Sequence, residues 1–176
     1  MAKASQTSPL KNVKISGLGF RDTVYTFMDP HGVPSGGDWA LQRTAALFFE
    51  GTEGVTIEHC VFERLDGQAL QISGYSRKFT VQYSDFRWIG DSAITSWGYT
   101  DELSDEGRKG FDGTDGNHPQ ENTIRFNVIR EVGMFEKQSS FYMQAKTCLS
   151  TIEGNVMFNG PRAGINFNVI SFCPIE

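Results

Sequence analysis

The chain has 176 residues, of which 39% are hydrophobic and 21% charged, a composition typical of a globular protein and unlike that of a disordered one. A formal net charge of -5 disfavours general nucleic-acid binding. No apolar run approaches the ~20 residues that span a bilayer, and the N-terminus lacks the apolar stretch of a signal peptide.

Five segments of the chain share a pattern in which an apolar anchor is followed, five positions later, by a second apolar residue. The anchors are Ile15, Ile57, Val81, Ile124 and Ile152. The second residues are Phe20, Phe62, Phe86, Ile129 and Met157. Three positions after each anchor stands a mostly small or polar residue that suits a sharp bend. These bend residues are Leu18, Cys60, Ser84, Asn127 and Asn155.

A further strand with alternating apolar and polar residues follows four of these segments. It covers 69–72, 93–96, 140–143 and 164–167. The shortest unit runs over 24 residues from Ile57 to Val81. The longer units carry insertions near 25–44 and 98–119, and the alignment of Phe141 with Leu70 gives the fourth unit four extra residues near 135–138.

A period of about 24 residues with short strands and polar bends predicts an all-β fold, a parallel β-helix with two long loop insertions. We expect about five coils in a single domain, 1–176. The coils cover about 11–54, 55–78, 79–121, 122–149 and 150–176. The alternative is an antiparallel β-sandwich, which explains the turns but not the regular placement of the insertions.

Four runs of sequence resemble right-handed parallel β-helix proteins of the pectate-lyase-like superfamily, a largely uncharacterised algal, oomycete and marine group. The runs are 37–44, 62–67, 112–119 and 159–168. The resemblance implies a right-handed solenoid, an extracellular location, and function as a polysaccharide lyase, glycoside hydrolase, uronate epimerase or adhesin. Similar proteins continue with further glycine-rich coils, so we expect a fragment of a longer solenoid whose open C-terminal coil self-associates or binds a partner.

The insertion at 101–118 is the most polar part of the sequence. Asp112 and Asp115 supply oxygen ligands of the kind that Ca²⁺ prefers, and Asn117 is a further ligand or a substrate-binding residue. The alternative is a surface loop in which these side chains bond their own backbone in Asx turns. His118 is a candidate acid or base, or else a solvated surface residue.

Aromatic and polar residues elsewhere suggest sugar binding. Trp39 and Trp97 are candidate platforms for a sugar ring, and Arg43 is a candidate partner for hydroxyls or a carboxylate. Trp39 has the alternative role of packing its loop onto the coils. Gln144 and Asn166 complete the predicted substrate-binding set.

Two cations lie at matching bends of adjacent predicted coils, Lys137 and Arg162. Stacked cations repel each other unless they share an anion, and a uronate carboxylate is such an anion. In β-elimination, neutralising that carboxylate acidifies the neighbouring C–H, and a Lys or Arg with a depressed pKa removes the proton. The alternative is an ordinary salt bridge with Glu136 or Glu131.

The sequence therefore predicts a polysaccharide-binding β-helix, with lyase or related chemistry on uronate-containing glycans as its catalytic form. It requires no cofactor, although Ca²⁺ can bind, and it has neither a nucleic acid partner nor a membrane span. The rival hypothesis is a non-catalytic structural or adhesive solenoid subunit. Cys60, Cys148 and Cys173 lack zinc-site spacing and are expected to be buried small hydrophobes.

Overall fold

The computed structural model describes residues 4–32, 41–100 and 109–168. Every regular element in these ranges is a β-strand. The strands form three sheets, and within each sheet the paired strands run parallel to each other. The described ranges contain no helix long and apolar enough to cross a membrane.

Each sheet collects strands from successive passes of the chain. Sheet 1 contains β1 (Leu10–Lys11), β4 (Leu47–Glu53), β7 (Leu70–Arg77), β10 (Ile94–Trp97), β11 (Pro119–Gln120), β14 (Ser140–Ala145) and β17 (Ala163–Asn168). Sheet 2 contains β2 (Lys14–Ser16), β5 (Thr56–Glu58), β8 (Thr80–Gln82), β12 (Thr123–Arg125) and β15 (Thr151–Glu153). Sheet 3 contains β3 (Gly19–Arg21), β6 (Val61–Leu65), β9 (Asp85–Ile89), β13 (Val128–Val132) and β16 (Val156–Phe158).

The chain passes repeatedly from sheet 2 to sheet 3 and then to sheet 1, so each strand is paired with the equivalent strand of the next pass. This order is compatible with a parallel β-helix. It excludes the antiparallel sandwich, because sandwich strands would be joined by hairpins.

The register of the sheets follows the repeat in the sequence. Ile57 is paired with the anchors Ile15 and Val81 of the neighbouring passes. The second apolar residues form their own file, in which the Phe62 ring stacks on Phe20 at 4.9 Å and on Phe86 at 4.5 Å between centroids. The central members of both files are fully buried and make up much of the hydrophobic core.

The fourth unit departs from the predicted alignment by one residue. Tyr142, and not Phe141, is paired with Ile94 of β10 and Ile165 of β17. Phe141 instead lies against Gly160, where an added Cβ would come 2.6 Å from the ring. The missing side chain of this glycine makes room for the ring. Because Tyr142 takes the position predicted for Phe141, the unit carries one more inserted residue than expected.

The bends are sharper and lie one residue earlier than the sequence suggested. Between sheets 2 and 3 a single residue of each pass has a positive φ: Gly17, His59, Tyr83, Phe126 and Gly154. Two further corners of each pass use the same left-handed conformation. One is formed by Asn12, Gly54, Lys78, Glu121 and Leu149. The other is formed by Asp22, Arg64, Trp88, Glu131 and Asn159.

The small polar residues that follow the first corner hold neighbouring passes together. The Ser84 hydroxyl accepts a hydrogen bond from Cys60 N at 3.1 Å, and the Asn127 amide oxygen accepts one from Ser84 N at 3.0 Å. Asn155 does the same for Asn127 N at 3.0 Å. These side chains satisfy backbone groups that the tight bend leaves without a strand partner.

The cysteines differ from one another. Cys60 is buried with a free thiol, as expected for a small hydrophobe. Cys148 is disulfide-bonded and partly buried, so the expectation of a buried small hydrophobe is wrong for this residue. Cys173 lies outside the described residues.

Candidate functional site

A polar groove lies where β7 of sheet 1 ends, and its two clefts share Gln6 and Tyr75. The first cleft has a volume of about 380 Å³ and the second of about 370 Å³. Described residues lining the first are Ala4, Ser5, Gln6, Thr7, Glu50, Gly51, Tyr75 and Asn117. Those lining the second are Gln6, Tyr75, Arg77, Thr114, Asp115, Gly116, His118, Gln120 and Glu121. We call the two clefts together the Tyr75 groove.

One wall of the groove is the N-terminal segment, which crosses strand β4. Gly51 has a φ of +69°, and a Cβ at this position would lie 2.3 Å from the backbone carbon of Ala4. Only glycine therefore lets the segment lie this close. The Gln6 amide then donates a hydrogen bond to the Asp115 carbonyl at 3.0 Å, which joins this wall to the opposite one.

The opposite wall is the end of the inserted loop, and Arg77 holds it. The guanidinium donates to the carbonyls of Gly116 at 2.7 Å and His118 at 2.5 Å. Strand β11, at the end of the same loop, is paired with β7 in sheet 1. The insertion thereby extends the sheet as well as forming the rim of a cleft.

Tyr75 stands between the two clefts and is partly exposed. Its hydroxyl donates to Glu53 Oε1 at 2.7 Å, and burial, together with this carboxylate, raises the pKa of Tyr75. The Arg77 guanidinium lies 4.4 Å from the centre of the ring. The ring is therefore held in place at its hydroxyl and on one face.

Asp112 and Asp115 cap turns of their own loop. Asp112 Oδ1 accepts hydrogen bonds from Thr114 N at 2.9 Å and from the Thr114 hydroxyl at 2.7 Å. Asp115 Oδ1 accepts one from Asn117 N at 3.0 Å. Within the described ranges no three His, Cys, Asp or Glu side chains come together to hold a metal. The geometry of these aspartates is that of the Asx-turn alternative, and calcium binding stays a prediction.

His118 is buried, in contrast to the solvated surface residue that a polar loop suggested. Burial, the Arg77 charge and the Lys146 charge lower the pKa of His118 to about 4. Its Nε2 lies 3.4 Å from Cys148 Sγ. Because a disulfide sulfur carries no proton, Nε2–H must be the donor in this contact. The imidazole is therefore neutral at pH 7, and the role of His118 as an acid or base stays a prediction.

The predicted sugar platform at Trp97 is wrong, because this ring is fully buried with Leu41, Met143 and Ala145 on the outer face of sheet 1. A sugar could not stack on a ring without an exposed face. The Arg43 guanidinium lies 3.8 Å from the centre of the Trp97 ring.

Arg43 also contacts the ring of Tyr99 at 4.5 Å and donates to the Gly98 carbonyl at 2.7 Å. These contacts fix the chain at 97–99 on the sheet, and the role of Arg43 as a sugar ligand stays a prediction. Trp39, the other predicted platform, lies outside the described residues.

Lys137 and Arg162 lie at the opposite end of sheet 1 from the Tyr75 groove, before β14 and β17 respectively. The Lys137 ammonium donates to the carbonyls of Gly133 at 2.7 Å and Met134 at 3.1 Å. Arg162 donates to the side chain of Gln138, so the two cations occupy neighbouring bends. Their role toward a shared anion stays a prediction.

The two acids named as alternative partners for these cations have other contacts. Glu131 forms an ion pair with Arg130 at 2.6 Å. Glu136 Oε1 accepts a hydrogen bond from Gln138 N at 2.9 Å.

The last two predicted sugar ligands lie apart from the groove. Gln144 is partly buried, and its amide oxygen accepts a hydrogen bond from the Tyr142 hydroxyl at 3.0 Å. Asn166 is partly buried in β17, beside Met143 of β14.

A second buried polar cluster surrounds Asp91, at the bend that leads from sheet 3 into sheet 1. Asp91 Oδ1 accepts hydrogen bonds from Ser92 N at 2.6 Å and from the Ser139 hydroxyl at 2.9 Å, whereas Oδ2 is buried without a hydrogen-bond partner. Burial raises the pKa of Asp91 to about 6, against the opposing effects of these hydrogen bonds and of His31. The Asp91 side chain is almost fully buried, so the cluster bears on stability.

Of the predicted site residues, the Tyr75 groove brings together Asp115, Asn117 and His118. Sequence reasoning missed Tyr75 and Glu50. The sequence does hold one signal for Tyr75: it is an aromatic residue directly after Gly74, near the end of a predicted strand. An aromatic ring that is partly exposed at such a position is a candidate binding residue. No family model, curated protein sequence or solved structure matches this chain.

Proposed function

We propose that this protein is a right-handed parallel β-helix of about five coils, similar to the pectate-lyase-like superfamily, which binds a polysaccharide in the Tyr75 groove. The five strands in each of sheets 2 and 3 support the number of coils. The right-handed sense rests on the general rule that crossovers between parallel strands are right-handed. The sugar-binding role rests on the groove.

The observation that carries the proposal is a partly exposed aromatic ring, fixed between two clefts that are lined with amides, hydroxyls and carboxylates. Sugars present apolar C–H faces to aromatic rings and hydroxyls to such polar groups. The two volumes fall within the ~300–1,000 Å³ range of ligand sites. Because the clefts meet at Tyr75, they suit neighbouring units of one chain better than two separate ligands.

We expect Tyr75→Ala to weaken binding of a tetrasaccharide about tenfold, because the ring face and its packing are lost together. Isothermal titration with neutral, acidic and amino oligosaccharides measures this effect. Tyr83→Ala is the matched control, because Tyr83 is an exposed tyrosine at a corner between sheets 2 and 3. Wild-type protein that binds none of the oligosaccharides would overturn the proposal, as would equal losses in the two variants.

The lyase form of the hypothesis has its own readout. The same protein is incubated with polygalacturonate and alginate, with and without Ca²⁺, while the absorbance of unsaturated products is followed. Product that disappears in Lys137→Ala supports catalysis at the Lys137–Arg162 bends. A flat absorbance trace on every substrate leaves a binding protein.

The second candidate function is that of a structural solenoid subunit, and the exposed apolar residues of the last strands favour it. Val156 and Phe167 are 55% and 59% exposed, on strands that each pair with one neighbour only among the described residues. A second copy could cover them by strand pairing. Analytical ultracentrifugation over a range of concentrations should then show oligomers, and Phe167→Ser should reduce them. A constant monomer mass contradicts this candidate.

A further inference from the structure

We propose that the first cleft of the Tyr75 groove takes a protonated amino sugar, so that the preferred ligand is a glycan with free amino groups. This inference rests on the proposed sugar-binding function and names the substrate class of the same site. The juxtaposition that carries it is one carboxylate, Glu50, beside the Tyr75 ring in a cleft whose described lining residues include no Lys, Arg or His.

Glu50 is the charged residue of the first cleft. Of the described residues that line this cleft, none is Lys, Arg or His, and no described cation forms an ion pair with Glu50. Its position is fixed by the Ser73 hydroxyl, which donates to Oε2 at 2.7 Å. The carboxylate is partly buried, so its charge is less screened than that of a fully exposed residue.

Other carboxylates close to the groove are matched by cations. Glu53 is 2.7 Å from the ammonium of Lys11, and Glu121 is 3.8 Å from that of Lys78. Glu50 differs from both in forming no ion pair with a described cation. The Arg43 guanidinium is linked to it only through the Ser73 hydroxyl, which accepts a hydrogen bond from Arg43 at 3.2 Å and donates to Glu50. A ligand ammonium would give Glu50 a direct ionic partner.

The described lining of the second cleft holds one guanidinium, that of Arg77, and two carboxylates, those of Asp115 and Glu121. Arg77 directs its guanidinium to backbone carbonyls and to the Tyr75 ring. His118 is neutral at ordinary pH, because burial and nearby cations lower its pKa. Asp115 adds a carboxylate to this cleft. Carboxylates therefore outnumber cations among the described residues that line the groove, which favours an amino sugar over a uronate.

The chemistry of the first cleft favours an ammonium group over a neutral hydroxyl. A hydrogen bond between an ammonium and a carboxylate is about twice as strong as one between neutral groups. An ammonium near an aromatic ring also gains a cation–π attraction, and at Tyr75 the Arg77 guanidinium takes only one face of the ring. The Lys137–Arg162 bends, where the sequence placed a uronate, lie beyond the other end of β7, an eight-residue strand. At about 3.3 Å per residue, the bends and the cleft are too far apart to hold the same sugar unit.

The experiment compares three tetrasaccharides by isothermal titration at low ionic strength: glucosamine, N-acetylglucosamine and galacturonate. We expect glucosamine to bind about tenfold more tightly than its acetylated form, and galacturonate to bind most weakly. The tenfold preference should shrink at high salt, because its source is electrostatic. The acetylated oligomer is the matched ligand, since it keeps the ring and the hydroxyls and loses only the charge.

Glu50→Gln should reduce the preference for glucosamine over N-acetylglucosamine to about twofold. The control variant is Glu153→Gln, which removes an exposed carboxylate on sheet 2 that lies 3.9 Å from Arg125. This control should keep the tenfold preference, and thermal unfolding checks that both variants are folded.

Failure of the inference can be told apart from failure of the proposed function. If the three ligands bind equally, or if galacturonate binds best, the Tyr75 groove is a sugar site but the amino-sugar inference is wrong. If Glu50→Gln keeps the full preference, the ammonium lies elsewhere and the inference is again wrong. If none of the oligosaccharides binds, the proposed function itself is wrong.

Discussion

Replacing Phe62 with alanine should lower the free energy of unfolding by about 3–5 kcal/mol. The ring is fully buried and stacks on Phe20 and Phe86 in the passes on either side. Its removal leaves a cavity that the backbone cannot close, because hydrogen bonds to the neighbouring strands fix the spacing of β6. Urea unfolding followed by far-ultraviolet circular dichroism measures the change.

Phe111→Ala is the control for this experiment, because Phe111 is 61% exposed in the inserted loop. We expect it to change the free energy of unfolding by less than about 0.5 kcal/mol. A loss below about 1 kcal/mol for Phe62→Ala would contradict the buried file of stacked rings. Such a file forms because equivalent side chains of successive passes lie directly above one another.

Replacing Asp91 with asparagine should stabilise the protein at pH 7 by up to about 3 kcal/mol and have little effect at pH 4. The pKa of Asp91 rises from its usual 3.8 to about 6 in the folded state, mainly because the carboxyl is buried. Between these two values the folded protein binds a proton that the unfolded chain does not. The contribution of Asp91 to stability is therefore greatest below pH 4 and is lost as the pH rises through 6.

The asparagine variant keeps an oxygen for Ser92 N and Ser139 while it removes the charge. The measured quantity is the difference in unfolding free energy between wild type and variant from pH 4 to pH 8, because other carboxylates shift the absolute curve. The charged neighbours His31, which lowers the pKa of Asp91, and Glu136, which raises it, are present in both proteins.

Glu58→Gln is a control with the opposite sign. The pKa of Glu58 is lowered, chiefly by its hydrogen bonds from Lys14 and Gln82. Its contribution is present above the pKa of the unfolded chain and is lost as the pH falls through the lower value of the folded state. A stability difference for Asp91→Asn that grows toward acid, or that does not change with pH, would show that burial does not control the pKa of Asp91.

The repeat predicted the path of the chain well, because one apolar residue per strand is enough to set the register of a sheet that buries one face. Ile57 and Phe62 are therefore placed as expected. The register of Phe141 could not be predicted, because both it and Tyr142 are aromatic and the repeat does not distinguish between them. In the structure Tyr142 takes the repeat position, and the Phe141 ring lies against Gly160.

The candidate site was less predictable. Trp97 and Arg43 have the chemistry of sugar ligands, and their contact with each other is a tertiary effect that no local pattern records. The Tyr75 groove depends on the N-terminal segment crossing Gly51, more than 40 residues away in the chain. Such a contact has no periodicity, so the first wall of the groove could not be found from the sequence.

At the three left-handed corners, the backbone conformation is the same in every pass although the side chains differ. At the corner between sheets 2 and 3, equivalent positions hold glycine, histidine, tyrosine and phenylalanine with nearly the same backbone. His59, Tyr83 and Phe126 stack there at 5.4 and 5.5 Å between ring centres. A chemical group installed at successive corners would accordingly form an evenly spaced row, and a protein engineer could rewrite that row while leaving the buried files unchanged.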